Sequence, residues 1–139
     1  MALDDLGLVT TLKKYLMTIE DYNQGCRIHF QSVGEERRIL SNYEVAIFRL
    51  VQESVTNAMK HGKCQQIWVK VEWCTKLVTV TIKDNGTGFD PKLVQESSFG
   101  LLGMNERIDL LKGEMLVESS PGNGTTIMFR IPVDEVKGS

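Results

Sequence analysis

Between Ile67 and Ile82 apolar and polar residues alternate twice. Ile67, Val69, Val71 and Trp73 alternate with Trp68, Lys70 and Glu72; after Cys74-Thr75-Lys76, Val78, Val80 and Ile82 alternate with Thr79, Thr81 and Lys83. A period of two puts every apolar side chain of a strand on one face. The two runs therefore read as an antiparallel hairpin with one face to bury. A lone hairpin is at best marginal in water, so the rest of the chain must cover it.

Helical spacing supplies the cover. Leu8, Leu12, Tyr15, Leu16 and Ile19 recur at steps of three and four, a helix over about 8–20 that ends at Tyr22-Asn23-Gln24-Gly25. A long helix opens at Ser41, where Ser41-x-x-Glu44 has the form of a capping box, and runs to Gly62. Leu101, Met104, Ile108 and Leu111 continue the helical period up to Gly113. Arg27 to Val33, Met115 to Ser119 and Thr126 to Val133 read as further strands. The expected architecture is an α/β two-layer sandwich, a mixed and mostly antiparallel sheet covered on one face by helices.

With 139 residues and 42% hydrophobic content the chain fits one core, so residues 8–134 are read as one domain and 135–139 as a frayed tail. A net charge of -2 without a basic block argues against nucleic acid or an anionic membrane surface as partner. The longest apolar stretch, 45–51, is interrupted by Arg49 and is far short of the ~20 residues of a membrane span. Met1 to Asp5 is acidic where a secretory signal is basic, which points to the cytoplasm. Cys26, Cys64 and Cys74 form no Cys-x-x-Cys pair, and with only His29 and His61 to join them they read as thiols, not as a zinc site or disulfide framework.

The chemistry concentrates in four strings. On the helix from 42 to 61, Arg49, Glu53, Thr56, Asn57 and Lys60 share the side opposite Phe48, Val51, Val55, Ala58 and Met59. Such a stripe suits a solvated face with an Arg49 to Glu53 pair. It can also serve a site in which the Asn57 amide oxygen meets Mg²⁺, Lys60 meets a phosphate, and Glu53 accepts a proton or orients the attacking group. His61 either contacts a phosphate or opposes the helix dipole. Asp84-Asn85-Gly86-Thr87-Gly88 follows a strand directly. It is either a tight turn or the seat of a purine, with the acceptor-only carboxylate of Asp84 taking a hydrogen bond from the exocyclic amine of adenine and Gly86 and Gly88 letting backbone approach the ring.

Gly100-Leu101-Leu102-Gly103-Met104 begins a helix, where free amides favour an anion such as a polyphosphate, and Gly100 and Gly103 permit close approach. Gly122-x-Gly124-Thr125 is a good turn whose Thr125 hydroxyl gains interest only beside the other strings. A P-loop, a Gly-x-Gly-x-x-Gly dinucleotide turn, a His-Arg-Asp loop and a Gly-x-Ser-x-Gly elbow are all absent.

In this order the strings resemble the N, G1, G2 and G3 boxes of the GHKL ATPase superfamily. The resemblance spans nearly the whole chain and is strongest to sensor histidine kinases of the NarX, LiaS and DesK branch, through Phe48 to Glu53 and Gly100 to Arg107. It implies the Bergerat fold with 87–100 as the ATP lid, and ATP and Mg²⁺ as cofactors. Asp84 would bind the adenine amine, Asn57 the Mg²⁺, Lys60 and His61 the phosphates, and Glu53 would be the catalytic acid of the N box, with Gly100 to Met104 closing over the phosphates. Ser98 stands where the family often has glycine, which implies a looser hold on phosphate. The helical hairpin carrying the phospho-accepting histidine is not in this sequence, and neither His29 nor His61 is placed to replace it. Residues 1–7 look like the end of the linker that follows that hairpin. The implied partners are that dimerisation domain and a response regulator of the LuxR/NarL type, with the isolated domain a monomer and the full-length kinase a homodimer. A serine kinase of the anti-sigma type, or a nucleotide-sensing module without transfer, would carry similar boxes.

Overall fold

The computed structural model describes residues 2–23, 25–60, 64–90, 92 and 100–133. Among the described residues the elements follow in the order α1 (Ala2–Leu6), α2 (Leu8–Tyr22), β1 (Arg27–Val33), α3 (Ser41–Lys60), β2 (Gln66–Cys74), β3 (Leu77–Asp84), α4 (Leu101–Leu110), β4 (Glu114–Ser119) and β5 (Thr125–Pro132). They build one five-stranded sheet in the order β1-β2-β3-β5-β4. The expected hairpin is β2 and β3, antiparallel from Ile67 opposite Asp84 to Cys74 opposite Leu77. β5 pairs antiparallel with β3 and β4 with β5, which puts Asp84 opposite Thr125 and Ser119 opposite Thr125 at one end of the sheet. β1 lies parallel to β2, from Arg27 opposite Gln66 to Val33 opposite Glu72. Parallel neighbours require a long crossover, and α3 is that crossover.

The alternation holds throughout the sheet. Ile67, Val69, Val71, Val78, Val80, Ile82, Phe129 and Ile131 are at most 2% exposed and face Leu12 and Leu16 of α2, Ile47, Leu50, Val51 and Val55 of α3, and Met104 and Ile108 of α4. Full burial of each such side chain is worth about 1.5–3 kcal/mol. Tyr15 meets Phe48 edge to face with centroids 5.3 Å apart, joining α2 to α3. Among the described residues no helix covers the opposite face of the sheet, where Trp68 is exposed and stacked on His29 at 5.6 Å. The two-layer, one-sided architecture is as the alternation predicts.

The long helix begins differently from the expected capping box. Glu44 is 1% exposed, and its carboxylate accepts two hydrogen bonds from Arg38, each 3.1 Å. The first turn is instead closed by backbone, Tyr43 and Glu44 N–H to the Leu40 carbonyl. Arg38 also donates to the carbonyls of Leu3 and Asp4. It thereby ties α1, whose Leu3 lies in the core, to α3. The Lys70–Glu72 pair is exposed on both sides, where such pairs contribute little. Arg38→Ala leaves a buried carboxylate without its cation, so it is expected to lower the melting temperature clearly more than Lys70→Ala in parallel thermal scans.

Candidate nucleotide site

The site begins where β3 ends. Asp84 is 6% exposed, and its Oδ1 accepts from the Gly86 N–H at 2.8 Å. Burial pushes its carboxyl above the usual range, while backbone hydrogen bonds from Gly86 and Thr125 pull it back. These two amides offset part of the desolvation of a carboxylate that has further acceptor capacity for a donor. Asn85 organises the chain opposite: its Oδ1 accepts from both Gln65 and Gln66 N–H at 2.9 Å, and its own N–H reaches the Gln66 carbonyl. Gln65 and Gln66 are thus held against the end of β3.

The two glycine strings interlock. Gly122 N–H donates to the Thr87 carbonyl at 2.6 Å. Ser119 Oγ accepts from Phe89 N–H at 2.9 Å, donates to the Gly124 carbonyl and lies 2.8 Å from Thr125 Oγ1. Gly88 at φ 66° and Gly124 at φ 72° make this contact possible, because a Cβ at the first would overlap the Ser120 carbonyl and at the second the Asp84 carbonyl. The string at 122–125, weak as a sequence signal, therefore packs directly against Asp84. Thr125 contributes its amide to Asp84, and its hydroxyl is bonded to Ser119.

The second half lies between α3 and α4. Met104, 2% exposed, takes a contact from Ser54 Oγ at 3.5 Å, and this docks the start of α4 on α3. Gly100 is left-handed at φ 69°, and a Cβ there would stand 2.5 Å from Glu53 Oε1. Glu53, Gly100 and Gly103 line a cleft of about 210 Å³ whose walls include Arg49, Gln52 and Arg107. Arg49 and Glu53 form no ion pair among the described residues. Leu102 points outward at 41% exposure, whereas Leu101 packs on the core. Lys60 is the exposed last residue of α3, and Asn57 sits half-buried one turn earlier. His61 lies outside the described residues, as do 91 and 93–99 of the expected lid.

The halves meet through the end of α3. Cys64 Sγ donates to the Ala58 carbonyl at 3.3 Å, and the Asp84 charge acts on the same thiol. Asn57 and Lys60 flank Ala58 on the last turns of α3, and Glu53 is one turn back at the Gly100 cleft. Sequence reading missed Ser119, Arg107 and the role of Asn85. Only the contacts across the fold single them out.

Residues 42–135 match the family described as histidine kinase-, DNA gyrase B- and HSP90-like ATPases. The chain belongs to this family. It is 54% identical over 138 residues to the signal transduction histidine-protein kinase/phosphatase DegS of Bacillus subtilis, covering 96% of this chain and 36% of that protein. It is 47% identical over 133 residues to DegS of Brevibacillus brevis, covering 96% of this chain and 34% of that protein. The chain thus spans about a third of the length of these relatives. The fold is that of the histidine kinase domain from the Erythrobacter litoralis EL346 blue-light activated kinase, with a TM-score of 0.76, 20% identity, and coverage of 91% of this chain and 61% of that one. The sheet and its helices form the Bergerat α/β sandwich of this family. Among the described residues no helix is long and apolar enough to cross a membrane.

Proposed function

We propose that this domain binds Mg-ATP and, within a longer sensor histidine kinase, transfers the γ-phosphoryl group to a histidine on a dimerisation domain, from which a response regulator takes it. The observation that supports this reading is the buried Asp84 carboxylate at the end of β3, near the Cys64 thiol that bonds the last turn of α3, with the Glu53 carboxylate of α3 against Gly100. Asp84 accepts from the adenine amine and so favours adenine over guanine. Backbone at Gly86 and Gly88 lies along the ring. Lys60, and by the resemblance His61, meet phosphate oxygens, and Gly100, Leu101, Leu102, Gly103 and Met104 present the start of α4 to them. Glu53 orients the attacking imidazole and accepts its proton as the nitrogen–phosphorus bond forms and ADP departs.

Among the described residues no group of three His, Cys, Asp or Glu could hold a metal unaided. That donor set suits Mg²⁺, which needs few protein oxygens when phosphates supply the rest, and Asn57 is the residue that would hold it. When bound, the ion neutralises charge on the phosphates. We place the domain in the cytoplasm, as a monomer alone and a homodimer in the full-length kinase, with a regulator of the LuxR/NarL type.

Calorimetry with ADP and GDP tests the pocket, with at least tenfold preference for ADP expected; equal affinities reject the adenine role of Asp84. Mixing the domain with a hairpin protein carrying the acceptor histidine tests transfer, with an acid-labile phosphoryl product expected from ATP. An acid-stable product would favour a serine kinase instead. Asn57→Ala is expected to flatten the magnesium dependence of nucleotide binding, and a variant with the parent's dependence would remove Asn57 from the metal.

A further inference from the structure

Two of the three thiols are in contact. Cys26 Sγ and Cys64 Sγ lie 3.7 Å apart, although 38 residues separate them in the sequence, and both are free. Cys26 precedes β1 and Cys64 precedes β2, the two strands that pair in parallel. Arg27 N–H donates to the Gln65 carbonyl at 2.9 Å, so the flanking backbones already run at strand spacing. Strand spacing of about 4.8 Å falls within the Cα separations of about 4.4–6.8 Å that disulfides span. Cys74 is remote and exposed at the far end of β2.

The position of the pair gives it a consequence. Cys64 Sγ–H donates to the Ala58 carbonyl, in the last turn of α3 between Asn57 and Lys60. The next two residues, Gln65 and Gln66, are the ones that Asn85 holds beside Asp84. One small thiol therefore links the end of the helix to the backbone held at the end of β3.

We propose that Cys26 and Cys64 form an oxidisable dithiol, closed to an intramolecular disulfide by a small-molecule disulfide such as oxidised glutathione, and that closure weakens nucleotide binding. The thiolate of the half-buried Cys64 attacks one sulfur of oxidised glutathione, whose S–S bond breaks and releases one glutathione thiolate. Cys26, deprotonated in turn, attacks the Cys64 sulfur of the mixed disulfide and expels the second glutathione. The protein gives up two protons and two electrons, and the oxidant takes both to become two thiols. The new bond removes the donor from the Ala58 carbonyl and draws residue 64 towards β1, away from α3. Burial and the neighbouring Cys26 push the Cys64 thiol up to about 12, with Asp84 adding to it, so exchange is slow and the equilibrium is the quantity to measure. The weakening of binding rests on the nucleotide assignment above; the bridge itself does not.

The test uses the whole chain with Cys74→Ser, equilibrated in reduced and oxidised glutathione, quenched with acid, alkylated and weighed intact. The expected product is lighter by two hydrogens, resists alkylation and yields a peptide joining 26 to 64. Its Kd for ADP is expected to rise about five-fold, the equivalent of one uncharged hydrogen bond, and to return on reduction. Adding Cys26→Ser should abolish both the mass loss and the affinity change, leaving at most a glutathione cap on Cys64. Two alkylatable thiols in fully oxidised glutathione, or a glutathione cap without a bridge in the Cys74→Ser chain, overturn the proposal. A bridge that leaves the ADP affinity unchanged overturns its link to the site. A reduced chain that binds no ADP sinks the nucleotide assignment instead, while the mass measurement still decides the bridge.

Discussion

Asp84→Ala is expected to weaken ADP binding by about 1.5–3 kcal/mol, on the order of 10- to 150-fold in Kd, the worth of a hydrogen bond to a charged acceptor. The fold should tolerate the change. Removing the carboxylate strands the Gly86 and Thr125 amides, but it also removes a charge that burial disfavours. Asp84→Asn separates the two effects, because its amide oxygen still accepts from Gly86 while its amino group cannot accept from adenine. Loss of affinity in the Asp84→Asn variant with an unchanged urea midpoint is the expected pattern; an affinity equal to the parent's would take Asp84 out of the site.

The pH dependence follows with a definite sign. Because the folded carboxyl sits above its unfolded value, the fold disfavours the charged form. This group therefore adds stability as pH falls from its raised folded value towards the ordinary aspartate range. ADP affinity, which needs the charged acceptor, falls over that same window. A titration in which affinity declines only at the ordinary aspartate range, or stability responds in the opposite sense, contradicts the burial of Asp84.

Gly124→Ala is expected to cost about 2–5 kcal/mol, combining a left-handed backbone with a Cβ forced into the main chain. The obstacle is the Asp84 carbonyl, part of the central strand, which cannot rotate aside. A loss of that size is a large share of the ~5–15 kcal/mol that holds a domain together. Gly122→Ala is the matched comparison, since φ there is also positive, 83°, but the added Cβ meets nothing within 4 Å. It should cost only the backbone term, about 1–3 kcal/mol. Urea unfolding of both decides: equal losses would mean that the interlock of the two strings carries no weight.

Much of this was legible in the sequence because period two and period 3.6 report burial directly. Val78, Val80 and Ile82 could face only one way, and the sheet follows them. Direction was not legible. The pattern in Ile28 and Phe30 marks a strand but does not say that β1 runs parallel to β2. The capping box failed because a carboxylate three residues after a serine also suits an internal ion pair, and Arg38 lay on the other side of the turn. Of the site, the helical stripe was readable from spacing alone, whereas the approach of Glu53 to Gly100 and of Cys26 to Cys64 depends on segments that only the tertiary structure joins.

The parallel pairing of β1 with β2 makes the helix that bears Glu53, Asn57 and Lys60 an obligatory bridge within the sheet itself. Its detachment would leave one edge strand without a route back to its neighbour. Under the proposed nucleotide assignment, ligand capture and cooperative unfolding share a single structural member, so heating is expected to abolish both in one transition.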